Sequence, residues 1–563
     1  MSSVCQQSSL LERLIVSLKG TKVLIDPLEY KWDLKLPYAL DVETDEKDNC
    51  VGIGLWNGIG SIVYLTKVTS LPLFIKVFGH NIKSDWHWLK KWGYILESKD
   101  IINDTILMSY INNPTREKHG LKILANEILH NLYPSYSDIV GKGRKRITLN
   151  NQPIELTAHY CANDVKATWD LYQYFNSKLT TQQKSLLGNI ELPLMKLLFK
   201  MEEFGIKVDN KYLQKLKKDF DWAIKESLNK LNGQEINFNS PKQVKEWLKV
   251  LDIKLESTDK KFLTQIDHPK VKELLNYREL CKLQSTYVEP LLNQERIHTE
   301  FNQLIITGRL SSRNPNLQNI PTKTERGNLL RKAFIPKEGH VFIDADYSQI
   351  EYRLLAHFSQ EPLLLEAYRK GADIHEETAR LLGVSRYVGK TLNFASIYGA
   401  QAKKIAQTVN QIGSEATITQ EQAQKFLDTY WSKLPRVKYW VEQIKEQSRS
   451  KKAYRTLAGQ YFPLTGIDSS DRLIRWHAER QAVNGTIQGS AAYIIKLAML
   501  ELEKQGIIPI LQVHDELLFE FPKSIAIEMP ILEISQIMEK VIKLSVPLVV
   551  DIGVGNSWQE AKK

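Results

Sequence analysis

Apolar and polar positions follow two periods along this chain, and the switches between them mark out its elements. SSLLERLIVSLKG near the N-terminus has helical spacing and predicts a short amphipathic helix. LPYALDVETD, VGIGLW and SIVYLT then read as three strands with an antiparallel start. GHNIKSDWHWLKKWGY predicts a Trp-rich amphipathic helix, and HYCANDVKATWDLYQYF predicts a longer one. From about residue 183 to 295 the pattern is helical and Lys-rich, and FNSPKQVKEWLKVL offers Ser240 as a cap with Pro241 at the first helical position. HVFIDADYSQIEYRLLAHFSQ begins as an apolar strand ending on Asp346. It continues as a helix with Ile350, Leu354, Leu355 and Phe358 on one face. IIPILQVHDELLFEF reads as a β-hairpin with His514, Asp515 and Glu516 at its tip.

These elements carry acids in chemically suggestive places. Asp346 ends a strand just before a helix, where α/β proteins place chemistry and where an Asp also serves simply as a cap. Asp515, between two apolar strands, would be held rigidly, and two fixed carboxylates can share a pair of Mg²⁺ ions for phosphoryl transfer. In SRYVGKTLNFASIYGA, Arg386, Lys390, Phe394 and Tyr398 recur every fourth residue and form one stripe on a helix. Two cations followed by two aromatics could neutralise a triphosphate and stack on a base. Upstream, Asp41 and Glu43 stand two apart on a strand and share a face. Asp85 heads a helix, and Tyr160 and Asp164 lie one turn apart on another. Four acids spread over a strand and two helices suit a two-metal hydrolytic site with a phenol to orient water.

Composition bounds these readings without deciding them. The 563 residues suffice for several domains, and 43% hydrophobic with 25% charged residues is ordinary for a globular protein. A net charge of +11 fits a polyanionic partner. Cys5, Cys50, Cys161 and Cys281 are scattered without metal-ligand spacing and read as free thiols of a reducing compartment. No apolar run approaches a membrane span, and the N-terminus lacks the basic start of a secretory signal.

Taken in order, DYSQIE, the series Arg386, Lys390, Phe394, Tyr398 and Gly399, and VHDE resemble motifs A, B and C of family A DNA polymerases. TGRLSSRNPNLQNIP and HAERQAVNGTIQGSAA resemble the primer–template segments of that family. The resemblance implies that Asp346 and Asp515 hold two Mg²⁺ ions, with the Tyr347 carbonyl helping and Glu516 beside them. Gln349, Ile350 and Glu351 would line the nucleotide site, Glu351 as a gate that clashes with a ribose 2′-OH. Arg386 and Lys390 would bind the triphosphate, Lys390 also protonating pyrophosphate, and Phe394 and Tyr398 would pack on the sugar and nascent pair. Arg309, Arg480, Asn484, Gln488 and His514 would contact the primer terminus or the minor-groove edge, where acceptors are alike in all pairs. The upstream acids resemble a DEDD-type 3′–5′ exonuclease of the Tyr subtype. That likeness implies Asp41, Glu43, Asp85 and Asp164 as ligands of a second Mg²⁺ pair, Mn²⁺ able to substitute, and Tyr160 as the residue that positions water. Asp104, in a segment that also matches, is assigned no catalytic role. Two departures stand out: Ala395 where the family usually has Gly, and Gly389 inside the helix, where glycine weakens it. Phe394, where some relatives have Tyr, implies discrimination against dideoxynucleotides.

The implied fold is an α/β multidomain chain: a ribonuclease-H-like exonuclease domain (1–182), then a right-hand polymerase. Its thumb is helical (183–295), its antiparallel palm is split (296–362 and 472–563), and the helical fingers (363–471) lie between. The expectation is a monomer acting on primer–template DNA and dNTPs in replication or repair, with no 5′ nuclease domain, any helicase or processivity partner unspecified. It would work in the cytoplasm at the nucleoid, or in a host cytoplasm if phage-encoded. Two rival readings are a single-subunit RNA polymerase and an exonuclease whose polymerase half only binds DNA. The exonuclease acids, Glu351 and Phe394 weigh against the first, and intact Asp346, Asp515, Arg386 and Lys390 against the second.

Overall fold

The computed structural model describes residues 3–131, 133–143, 146–232, 235–322, 324–397, 399–411 and 417–562; the side chains of residues 3–8, 387, 394, 396, 397 and 411 fall outside that description. The first region is built on a six-stranded mixed sheet. Its strands are β1 (Val23–Ile25), β2 (Tyr38–Thr44), β3 (Cys50–Trp56), β4 (Ile62–Leu65), β5 (Val77–Gly79) and β6 (Ile101–Asp104), in spatial order β1-β4-β3-β2-β5-β6. β3 runs antiparallel to β2 and β4, as the sequence predicts, and the outer pairings are parallel. The alternation along β2 sorts its two faces. Leu40 packs with Ile53, Val77 and with Ile82, Trp86 and Leu89 of α1 (Ile82–Lys91). Ala39 faces the other way and packs with Ala158, Cys161, Ala162 and Val165 of α3 (Ile154–Lys178), a helix that α2 (Leu121–Leu129) lies against. Small residues on α3 and Gly54 on β3 allow this close approach: a Cβ at Gly54 would sit 2.7 Å from the Cys161 sulfur.

The Lys-rich middle is helical, with α4 (Asn210–Leu231) and α5 (Pro269–Leu283) around a small core that includes Phe238, Leu248, Leu274 and Tyr277. Ser240 does occupy the N-cap of the helix Pro241–Val250, but its side chain makes no capping hydrogen bond, so the fixed φ of Pro241 starts this helix instead.

The second half is organised by a four-stranded antiparallel sheet of β7 (His340–Tyr347), β8 (Leu511–Val513), β9 (Glu516–Pro522) and β10 (Val550–Gly555), in spatial order β8-β9-β7-β10. The helix α6 (Ile350–Ser359) follows β7 and buries Ile350, Leu354 and Leu355 in the largest core, with Phe358 stacked on Trp440. Between β7 and β8 the chain makes α7 (Ile374–Leu382) and α8 (Arg386–Ile397), and then α9 (Arg472–Lys504), 33 residues long. Gly389, which the sequence marks only as a weak point in α8, has a packing reason. A Cβ there would lie 2.7 Å from the His375 carbonyl oxygen and 3.0 Å from the Ala379 nitrogen, so glycine lets α8 lie against α7. The two halves meet where Trp86 stacks on Phe199 at 3.6 Å between centroids. Beside this stack the buried Glu202 accepts hydrogen bonds from Lys83 and from the Phe301 N–H and pairs with His87.

Candidate active sites

The first cluster of acids forms at the edge of β2 under α3. Strand alternation puts Asp41 and Glu43 on the face toward α3, the first turn of α1 supplies Asp85, and α3 supplies Tyr160 and Asp164. Burial, with Asp164 next, pushes the Asp41 carboxyl up to about 8. Burial also raises Glu43 and Asp85 well above the carboxylate range, in both cases with Asp41 adding to it. Asp164 is raised by burial while Lys122 and Tyr160 act to lower it. Lys122, from α2, pairs with Asp164 and lies 4.4 Å from the centre of the Tyr160 ring. Sequence spacing gave no sign of Lys122. Asp104 serves the fold rather than the cluster. It caps the helix Thr105–Asn112 and also accepts from the Asn81 and Ile82 N–H groups.

The second cluster forms where β7, β8 and β9 end together. The Tyr347 N–H donates to the Asp515 carbonyl at 3.1 Å, which brings the Asp346 end of β7 to the two-residue turn of the β8–β9 hairpin. His514 takes a left-handed conformation in that turn, with φ of 55°. Burial, with Glu351 next, pushes Asp515 up to about 7, against the pull of Arg309. Burial raises Asp346, against the pull of Lys562. Across the sheet Asp346 stands opposite Glu516 on β9 and Asp551 on β10, with Asp344 two residues back on the same face. Lys562 reaches into this row, 2.9 Å from Asp346 and 4.0 Å from Asp344, and also binds Glu516. Glu516 is held further by the Trp558 indole N–H at 2.7 Å, and Arg331 lies 3.8 Å away. Its carboxylate is thus committed to structural partners, whereas Asp515 is not. Asp344, Asp551, Lys562 and Arg331 are functional-site neighbours that sequence reasoning missed; Asp344 stood in plain view in IDADY but carried no motif position.

Around this cluster lie the other predicted residues. Glu351 pairs with Arg309 at 2.6 Å, Gln349 accepts from the Tyr368 hydroxyl at 3.1 Å, and Ile350 is buried. Tyr347 sends its hydroxyl into the core, to the Met538 carbonyl. Arg386 and Lys390 lie on α8, Arg386 held by Asp373, whose carboxylate also caps α7. The Phe394 side chain and Tyr398 lie outside the described residues. Arg480, Asn484 and Gln488, one turn apart on α9, line a groove of about 380 Å³ together with Thr307 and His477. Asn484 leaves its buried Oδ1 without a hydrogen-bond partner there. Burial, with Arg309 next, lowers the His514 pKa.

Residues 209–560 match the family model described as DNA polymerase family A, and residues 62–180 the one described as 3′–5′ exonuclease. The latter match starts after β2, so Asp41 and Glu43 join Asp85 and Asp164 on geometry rather than on that match. The chain is 35% identical to DNA polymerase I of Synechocystis sp., covering 98% of this chain and 62% of that protein. It is 36% identical to DNA polymerase I of Treponema pallidum (85% and 50%) and 35% to that of Geobacillus stearothermophilus (91% and 62%). It therefore spans 50% to 62% of the length of these curated relatives. Among solved structures, the POL domain of Pol1 from M. smegmatis, in complex with DNA primer–template and dNTP, aligns with a TM-score of 0.79 at 29% identity, over 94% of this chain and 96% of that one.

Proposed function

The chain belongs to DNA polymerase family A, and on that premise we propose that it extends DNA primers from dNTPs on a DNA template and trims mispaired 3′ ends in a separate 3′–5′ exonuclease site. The observation that carries the reading is the meeting of Asp346 and Asp515 at adjacent strand ends, through the Tyr347-to-Asp515 backbone bond. The domain assignment follows the same reading: exonuclease 1–182, thumb 183–295, palm 296–362 with 472–563, and fingers 363–471.

Polymerase and exonuclease domains of this kind use divalent metal ions. The residues present fit them: each site gathers buried and half-buried carboxylates whose pKa values desolvation and mutual repulsion push up, and oxygen donors are what a hard dication takes. In our reading Asp346, Asp515 and the Tyr347 carbonyl would hold two Mg²⁺ in the palm, and Asp41, Glu43, Asp85 and Asp164 would hold two in the exonuclease. Bound there, such ions supply charge stabilisation of the attacking and leaving oxygens. Arg386 and Lys390 place positive charge along α8 for the triphosphate, and Lys390 is the proton donor to the departing pyrophosphate. Glu351, fixed by Arg309, fills the space of a 2′-OH and so rejects ribonucleotides by clash. Arg480, Asn484 and Gln488 present donors along one face of α9, where they would test the shape of the minor groove without reading sequence. Tyr160, one turn before Asp164 on α3, orients the water that attacks the 3′-terminal phosphodiester.

Extension of a labelled primer with dNTPs or rNTPs, with Mg²⁺, tests this. The expected result is templated dNTP extension by the wild type, none by Asp515→Ala, and 3′ trimming that persists in Asp515→Ala but is lost in Asp41→Ala. Trimming without extension under any nucleotide would overturn the polymerase reading in favour of an exonuclease with a DNA-binding half.

A further inference from the structure

We propose that Cys161 adds a sulfur donor to the exonuclease acids and makes that site a binding site for thiophilic divalent cations such as Zn²⁺ and Cd²⁺. The proposal rests on the reading of Asp41 and Glu43 as metal ligands.

Donor atoms of Asp41, Glu43 and Cys161 all lie within 4.8 Å of one another. The Cys161 sulfur is 3.8 Å from Asp41 Oδ2. In a tetrahedral site with Zn–O near 2.1 Å and Zn–S near 2.3 Å, the oxygen–sulfur edge is about 3.6 Å. The observed pair is therefore already spaced as two ligands of one ion. The backbone explains how the sulfur comes so low. Gly54 stands opposite Asp41 in the β2–β3 register, and its missing Cβ leaves room for the sulfur beneath α3.

A fully buried cysteine in a helix–sheet seam is ordinarily a small apolar filler. Here the seam opens onto two carboxylates, and the mixture of soft and hard donors favours Zn²⁺ or Cd²⁺ over Mg²⁺. When the ion binds, the S–H bond breaks, a sulfur–metal bond forms and the proton leaves to buffer; no redox change is involved. The palm differs in kind. Asp346, Asp515 and the Tyr347 carbonyl offer oxygen alone, and the other described cysteines, Cys50 and Cys281, are not part of either cluster. Traces of Zn²⁺ should therefore occupy the exonuclease in preference to the polymerase.

The test is a Cd²⁺ titration of the full chain, followed by the ultraviolet thiolate-to-cadmium charge-transfer band, with Zn²⁺ affinity by calorimetry. Wild type should show the band, Cys161→Ser should lack it and bind Zn²⁺ about tenfold or more weakly, and Cys50→Ser/Cys281→Ser should retain it. Should Cys161→Ser fail to fold by near-ultraviolet dichroism, Cys161→Ala serves the same comparison. No band in wild type, or a band and Zn²⁺ affinity unchanged without Cys161, overturns the proposal. Digestion of single-stranded DNA with Mg²⁺ alone is recorded separately. Digestion without the band sinks the sulfur ligand and leaves the exonuclease standing, while the band without digestion does the reverse.

Discussion

Asp41 keeps its proton up to about pH 8 because burial and the neighbouring Asp164 disfavour its charge. In the unfolded chain the same carboxyl loses its proton near pH 3.9. The metal-free fold therefore binds a proton that the unfolded chain has released, and this stabilisation is present in full below the unfolded value and fades as pH rises toward 8. Melting of the metal-free chain, followed by calorimetry in chelator, should fall between pH 5 and pH 8. Mg²⁺ should restore it most at the upper end, and Asp41→Asn should flatten the decline. A melting temperature that rises over that range would contradict the shift. Beside Asp515, Glu351 allows a second prediction. Glu351→Ala should raise rNTP incorporation relative to dNTP by roughly 10- to 100-fold, the value of one clash or contact in a pocket, as read from single-nucleotide kcat/KM ratios. Residues of this kind were legible because their motifs are local: DYSQIE and VHDE each put the acid next to the strand that fixes it. Lys562 and Lys122 were not, because their partners Asp346 and Asp164 lie 216 and 42 positions away and no spacing rule links them. Cys161 was read as a scattered thiol for the same reason, its neighbour Asp41 being 120 positions upstream.

At the scale of elements the periodicity served well where one face is buried and one is not. The strand Tyr38–Thr44, the helix after Asp346 and the hairpin around His514 all stand where alternation placed them. What periodicity does not convey is which neighbour an element touches. Gly389 reads from sequence as a flaw in α8 and proves to be the contact that seats α8 on α7. Gly389→Ala improves helix propensity by about 1 kcal/mol, yet its Cβ would fall 2.7 Å from a backbone oxygen that has little freedom to move. Overpacking of this sort costs about 1–3 kcal/mol, so the clash should win. The expected outcome is weakened dNTP binding, seen as a raised KM, with exonuclease activity on single-stranded DNA unchanged. Unaltered primer extension would show that α7 yields to the methyl group.

For the whole molecule, the question is whether the two acid-bearing regions unfold as one body. Their contact has an apolar part, in which Leu187, Leu192, Met195 and Phe199 enter the core of the first region and Phe199 stacks on Trp86, and an ionic part, Glu202, 4% exposed, between Lys83, His87 and the Phe301 N–H. A buried carboxylate with this many donors is costly to break, because the partners are left charged or unsatisfied: about 3–5 kcal/mol for loss of one member of a buried pair. Glu202→Ala strands Lys83 in the seam and should separate calorimetric unfolding into two transitions where the wild type has one. Glu202→Ala combined with Lys83→Met removes the stranded charge and should bring the transitions back together. Since Glu202 touches neither acid cluster, the single variant should keep both proposed chemistries on separate substrates while losing efficiency on a mismatched primer, whose strand, on the proposed function, passes from one region to the other. One transition in every variant would mean that the helix Leu192–Phe204 and its apolar contacts hold the halves together without the ionic seam.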